Sequence, residues 1–173
     1  MKKYALMLSI LVPTGVAAQT TFSFSGLTWG MSLAATVAQL KSASINVSAR
    51  DNLVCKVSSD CWLRFDDGET SPPKTVEGRA QFISGILVSV QIESDLYQAP
   101  KREAKLRQSY GAPVSIDNSQ CNLRPSWCNR LLWRSKSGET VEFNNAGWIN
   151  YRSAALNNQE AEEKGKNENR VRY

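Results

Sequence analysis

Three groups of residues have types and spacings that could do chemistry. Cys55 with Cys61, and Cys121 with Cys128, form two close cysteine pairs. Lys101, Arg102, Lys105 and Arg107 concentrate positive charge, with Glu103 the single counter-charge inside the run. Asp66, Asp67 and Glu69 gather three carboxylates around one turn. The first could be disulfides or a redox pair, the second a dock for an anion, the third a calcium loop or an acid-base pair.

The carboxylates fail their chemical tests. Their spacing lacks the alternating oxygens of an EF-hand loop, and neighbours in a turn point apart, so Asp67-Gly68 is turn chemistry. The sequence contains no histidine, which removes the usual neutral-pH base and the commonest metal ligand. A G-x-S-x-G nucleophile motif is also absent. No catalytic residue, metal or cofactor is therefore assigned, and binding is expected rather than catalysis.

Neither cysteine pair has the C-x-x-C spacing that tunes a redox thiol. An even number of cysteines in an oxidising compartment reads as disulfides. Four cysteines allow three connectivities. Spacing favours Cys55 with Cys61 and Cys121 with Cys128, local bridges that would contribute about 2–2.5 kcal/mol each. Within the second cysteine loop stands Trp127, with Arg124 and Arg130 near it. An aromatic beside arginine has the composition of an interface anchor, and could equally shield its own disulfide. On a helix, Lys101 and Lys105 share a face while Glu103 and Arg107 form an i,i+4 pair. That face suits an anionic partner surface or simply solvent.

The compartment is read from residues 1–18. Lys2 and Lys3 precede an apolar run, Tyr4 to Val12, and then Val16-Ala17-Ala18, the pattern of a cleavable leader ending before Gln19. The run is too short for a membrane span and no cysteine follows for a lipid anchor. A bacterial periplasmic destination is expected. Of 21 basic residues two leave with the leader, so 19 face 16 acidic ones, a net charge of +3. That is too mild to argue for nucleic acid.

Elements must position these groups. Val76 to Glu93 alternates with period two around Ser84-Gly85 and predicts a hairpin, with Gly78, Ala80 and Phe82 inward on one strand and Ile86, Val88, Val90 and Ile92 on the other. Ser32 caps a predicted helix from Leu33 to Lys41, whose stripe is Leu33, Val37 and Leu40. A second helix is predicted from Pro100 to Tyr110, stopped by Gly111. Trp62 to Phe65, Leu131 to Arg134, Thr140 to Phe143 and Trp148 to Tyr151 read as further strands. The expected fold is α+β: two short helices packed on an antiparallel sheet of six to eight strands. It would form one domain over 19–156, followed by a mobile polar tail over 157–173 with a helical turn at Gln159 to Lys164.

The halves share an order of helix, cysteine loop, aromatic-bearing strand and Gly-Glu-Thr turn. A duplicated helix-hairpin unit would give this order, and so would two ordinary turns. Trp29-Gly-Met-Ser-Leu-Ala-Ala-Thr-Val-Ala-Gln-Leu40 resembles the entry helix of small outer-membrane-assembly accessory proteins, and a duplicated helix-plus-strand unit is similar to β-lactamase inhibitor proteins. The resemblance implies a periplasmic binding module: an inhibitor, an immunity-type antagonist or an assembly accessory, with an envelope or periplasmic protein as partner. The alternatives are a hydrolase acting on an envelope component and a structural envelope protein that self-associates. The predicted contact set is Trp127, Arg124 and Arg130 with Lys101, Arg102, Lys105 and Arg107.

Overall fold

Ser84 and Gly85 both adopt positive φ, 52° and 79°, the two-residue turn that matches the twist of the strands it joins. Those strands are β3 (Glu77–Ile83) and β4 (Ile86–Ile92). In β3, Gly78, Ala80 and Phe82 are buried as their alternation requires. The β4 expectation needs correction. Phe82 lies opposite Leu87 but Gln81 lies opposite Ser89, so Val88 is an extra residue and the strand bulges there. The bulge shifts the phase by one: Leu87, Val90 and Ile92 enter the core while Ile86 is 47% exposed. Because Ile86, Leu87 and Val88 are all apolar, hydropathy cannot reveal such a shift.

The computed structural model describes residues 22–47, 53–55, 61–66, 77–93, 98–119 and 129–170. Besides β3 and β4, the sheet contains β1 (Leu53–Cys55), β2 (Cys61–Asp66), β5 (Ser115–Asp117), β6 (Arg130–Arg134), β7 (Thr140–Phe143) and β8 (Ile149–Arg152). Every adjacent pair is antiparallel, in the order β1-β2-β3-β4-β8-β7-β6-β5. Each half is a helix followed by a four-strand meander, and the halves join through their last strands, β4 against β8. The order is therefore symmetric about the sheet centre. This is the expected α+β architecture, with its shared order now expressed as topology.

Helix α1 (Leu33–Ser42) begins where the Ser32 hydroxyl accepts the Ala35 N–H at 3.3 Å, meeting one of the four donors that a helix start leaves unpaired. Leu40 is fully buried, and Leu33 and Val37 pack against the core. Thr36, also fully buried, donates its hydroxyl back to the Ser32 carbonyl at 3.0 Å. Backbone bonds Gly30 N–H to Leu87 O and Leu87 N–H to Met31 O stitch the helix entrance to β4. Helix α2 (Ala99–Tyr110) has Pro100 in its first turn and ends at Gly111, whose φ of 78° a side chain would resist. Trp133 Nε1 donates to the Gly111 carbonyl at 2.9 Å, fixing that end to β6.

One face of the sheet holds the core. Leu63, Ala80, Val90, Tyr151, Val141 and Trp133 form one row across the strands, and Phe65, Gly78, Ile92, Ile149, Phe143 and Leu131 the next. α1 and α2 cover these rows with Leu40, Ala99 and Leu106.

A third helix, α3 (Ala154–Arg170), replaces the expected short helical turn within a polar tail. Its first turns are tied down. Leu156 is buried, Asn157 donates to Gly138 O at 2.9 Å and to Thr140 Oγ1 at 3.2 Å, and Arg152 pairs with Glu160. Ala154-Ala155 and the Gln159-to-Lys164 run supply helix formers, with a Gln159–Glu163 bond at i,i+4. No helix among the described residues is long and apolar enough to cross a membrane.

Candidate functional site

The strand alternation that buries one face turns a different set of residues outward. Trp62, Gln81, Ser89, Arg152, Thr140 and Arg134 form one outer row, and Arg64, Arg79, Gln91, Asn150, Glu142 and Leu132 the next. α1 and α2 lie on the opposite side, and only the first turns of α3 reach the outer face, near β4 and β8. Between those turns and the strands lies a groove of about 260 Å³, lined by Trp62, Gln81, Gln91, Asn150, Arg152 and Glu160. Three side-chain amides there can each donate and accept, and Trp62 adds a flat half-buried ring.

Arginine is the prominent charge on this face. Arg64 stands directly opposite Arg79 on the neighbouring strand, an arrangement of like charges that weakens strand pairing. Arg79 reaches Glu93 at 3.9 Å across solvent, whereas exposed Arg64 makes no ion pair among the described residues. At the other end, Arg130 is clamped to Glu142 at 2.6 Å and to Asp117 at 3.6 Å. The Asp117 carboxyl is held below its ordinary range, first by the Ser119 backbone N–H at 2.8 Å, then by the Ser119 hydroxyl, with Arg130 adding a smaller pull.

The predicted contact residues do not form one patch. Arg130 belongs to the outer face, while Lys101, Arg102, Lys105 and Arg107 belong to α2 on the helix side. Arg102 is 7% exposed, because its position falls on the helix's buried stripe between Ala99 and Leu106; it is corrected from a surface contact to a buried cation. Arg107 and Glu103 form the expected pair at 2.7 Å. Lys101 and Lys105 are exposed. Arg124, Trp127, Cys121 and Cys128 lie outside the described residues. Cys55 and Cys61 are direct cross-strand partners in the β1–β2 ladder, a separation within the Cα range of a disulfide, and no described cysteine is free.

Sequence reasoning missed the outer rows and Glu139. Trp62, Gln81, Gln91 and Asn150 were legible as outward strand positions, yet which face would remain uncovered depends on helix placement. Glu139, read as part of a turn, is buried at 5% exposure and accepts the Phe22 N–H at 3.1 Å. A carboxylate with a partner 117 residues away leaves no local signal. No known family model matches the chain, and no characterised protein or solved structure is detectably similar to it.

Proposed function

We propose that this chain is an exported, periplasmic, non-catalytic module that binds an acidic surface of another protein through the outer face of its sheet. The observation that carries this reading is the Arg64–Arg79 pair beside Trp62. Like charges on facing strands weaken pairing, and the exposed Arg64 guanidinium beside the half-buried Trp62 ring is placed to meet a carboxylate on a partner, next to the Arg79–Glu93 contact. Tryptophan and arginine are also the side chains that most often dominate binding energy when a partner desolvates them. The amides around the groove supply hydrogen bonds for register. Arg130, at the start of β6, lies on the same outer face; Arg124 and Trp127 stay in the proposed contact set on the strength of their sequence alone. An inhibitor, an immunity-type antagonist and an envelope-assembly accessory all fit this reading, as does the resemblance carried by Trp29 to Leu40. The leader-like residues 1–18 and the facing Cys55 and Cys61 support export and a local disulfide.

A photo-crosslinking residue at Gln91, with the same residue at exposed Ala34 of α1 as the comparison, tests the surface in cells that export the protein. Adducts with a protein are expected from Gln91 and not from Ala34. The charge pair adds a second readout: Arg64→Thr should raise stability slightly while reducing the Gln91 adduct. Adducts from Ala34 alone, or a purified protein retaining Met1 in the cytoplasm, would defeat the reading.

A further inference from the structure

The middle strands of the sheet set a polar, uncharged group of side chains on its outer face. Gln81, Ser89 and Arg152 stand in one row on β3, β4 and β8, and Gln91 faces Asn150 in the next. Asparagine is a residue that strands tend to avoid, yet Asn150 occupies β8. With Trp62 on one flank and Leu156 and Glu160 of α3 on the other, these side chains line the groove of about 260 Å³.

Charge, hydrogen bonding and shape each restrict what the groove can hold. Arg152 pairs with Glu160, so the formal charges of the described lining cancel and a ligand need carry none. The side chains of Gln81, Ser89, Gln91 and Asn150 have no hydrogen-bond partner among the described residues. Ser89 is only 4% exposed, and a hydroxyl so nearly buried is costly to leave unpaired; its outlet is the groove that it lines. Amides and hydroxyls both donate and accept, which matches a ligand whose own groups are hydroxyls. The half-buried Trp62 ring adds an apolar face whose negative π-surface attracts the C–H bonds of a saturated ring.

An extended peptide is poorly served here. β3, β4 and β8 are each paired on both sides, so no backbone edge lies open beneath the groove for strand addition. The same double pairing starts the polar side chains from fixed backbone, which lowers the cost of ordering them around a ligand.

We propose that this groove binds one uncharged sugar ring of a glycan, its face on Trp62 and its hydroxyls bonded to Gln81, Ser89, Gln91 and Asn150. The volume falls just below the roughly 300–1,000 Å³ of sites for drug-sized ligands, which suits a single ring with the rest of the glycan outside. Arg64 and Arg79, which carry the protein-binding reading, are not part of the described lining, so the sugar site stands or falls apart from it.

Amide-shift titration of protein purified from exporting cells, with methyl glucoside, methyl galactoside and N-acetylglucosamine, tests the groove. Sorbitol, with hydroxyls but no ring, and uracil, flat but without hydroxyls, are the comparisons. Saturable binding of at least one sugar is expected in the millimolar range, with sorbitol and uracil at least about tenfold weaker. Shifts should fall on the side-chain amides of Gln81, Gln91 and Asn150 and on the Trp62 indole N–H. Trp62→Leu should weaken that sugar about tenfold and Asn150→Ala about fivefold. Arg64→Thr should leave the sugar affinity unchanged while reducing the Gln91 adduct, so each reading can fail alone. Should Trp62→Leu fail to fold, Asn150→Ala and the two comparison compounds decide. No saturation by any of these sugars up to about 50 mM, equal binding of sorbitol or uracil, or an unchanged affinity in Asn150→Ala would overturn the proposal.

Discussion

α1 and α2 hold equivalent places in the two halves but bury different chemistry. The polar residue on the α1 stripe, Thr36, satisfies itself on its own helix by donating to Ser32 O. The polar residue on the α2 stripe, Arg102, lines a pocket beside Lys105. A helix need only present an apolar stripe of the right width to close a four-strand meander. Once Leu106, Ala99 and the sheet rows supply that stripe, one position can carry a charge, and the second half uses that freedom where the first does not.

The cores differ in a complementary way. β2 and β6 occupy matching places in the sheet, with Leu63 on the row that holds Trp133 and Phe65 on the row that holds Leu131. Trp133→Ala should give the largest loss, about 3–5 kcal/mol, because it empties a large volume and also frees the Gly111 carbonyl at the end of α2. Leu63→Ala should cost less, about 2–3 kcal/mol. Urea denaturation of both variants checks the ranking, and a larger loss at Leu63 would break the comparison.

Next to Phe65 stands Gly78, and its counterpart in the other half is Phe143 beside Leu131. The aromatic ring therefore sits on the second strand of one half and the third of the other. A Cβ on Gly78 would lie 2.0 Å from the Phe65 ring, so Gly78→Ala should destabilise by about 2–3 kcal/mol. Gly78→Phe should be worse alone, yet Phe65→Leu in the same chain should recover part of its loss by recreating the arrangement of the second half. Two residues in contact are expected to couple in this way. Additive losses in denaturation would show that the halves are not interchangeable at this row.

Much of this fold was legible because its signals are local. Local pattern gave β3 and three of the four strands of the second meander, β6, β7 and β8, Ser32 and Gly111 marked the start of α1 and the end of α2, and the Ser84-Gly85 turn gave the central hairpin. What escaped depended on partners distant in sequence. The bulge at Val88 was hidden in an apolar run, β5 is only three residues long, and α3 is held by Leu156 and Asn157 against strands rather than by its own amphipathicity. The basic helix was correctly located, but its outward and buried charges separate only when the sheet is placed under it. Of that helix's four basic residues Arg102 alone is buried, while Lys101, Lys105 and Arg107 are exposed as expected.

α3 follows β8 as α2 follows β4, with Leu156 buried in its first turn and residues 161–166 exposed. Leu156→Ala should cost about 2 kcal/mol, and Asn157→Ala a smaller amount through its bonds to Gly138 and Thr140. Removing residues 161–173 should leave the thermal midpoint unchanged, since residues 161–166 are all exposed. A drop of several degrees on that truncation would place a contact beyond the first two turns.

The smallest effect is expected at the edge of the second half, where Asp117 and Arg130 join β5 to β6. The Asp117 carboxyl lies below its ordinary value of 3.8, chiefly through the Ser119 backbone N–H, so the folded state binds its proton less readily than the unfolded chain does. The sign follows from that difference. Its contribution is fully present above the unfolded carboxyl range and is lost as pH falls through the lowered folded value. Carboxyl ¹³C shifts followed from pH 6 to about pH 2 should therefore show Asp117 titrating below a typical surface aspartate. Full exposure makes the associated stability change slight. Ser119→Pro, which removes the backbone donor, should move the titration upward more than Arg130→Gln does, because the N–H bond is the larger cause. The reverse order would make the ion pair, rather than the turn, what holds this edge of the sheet together.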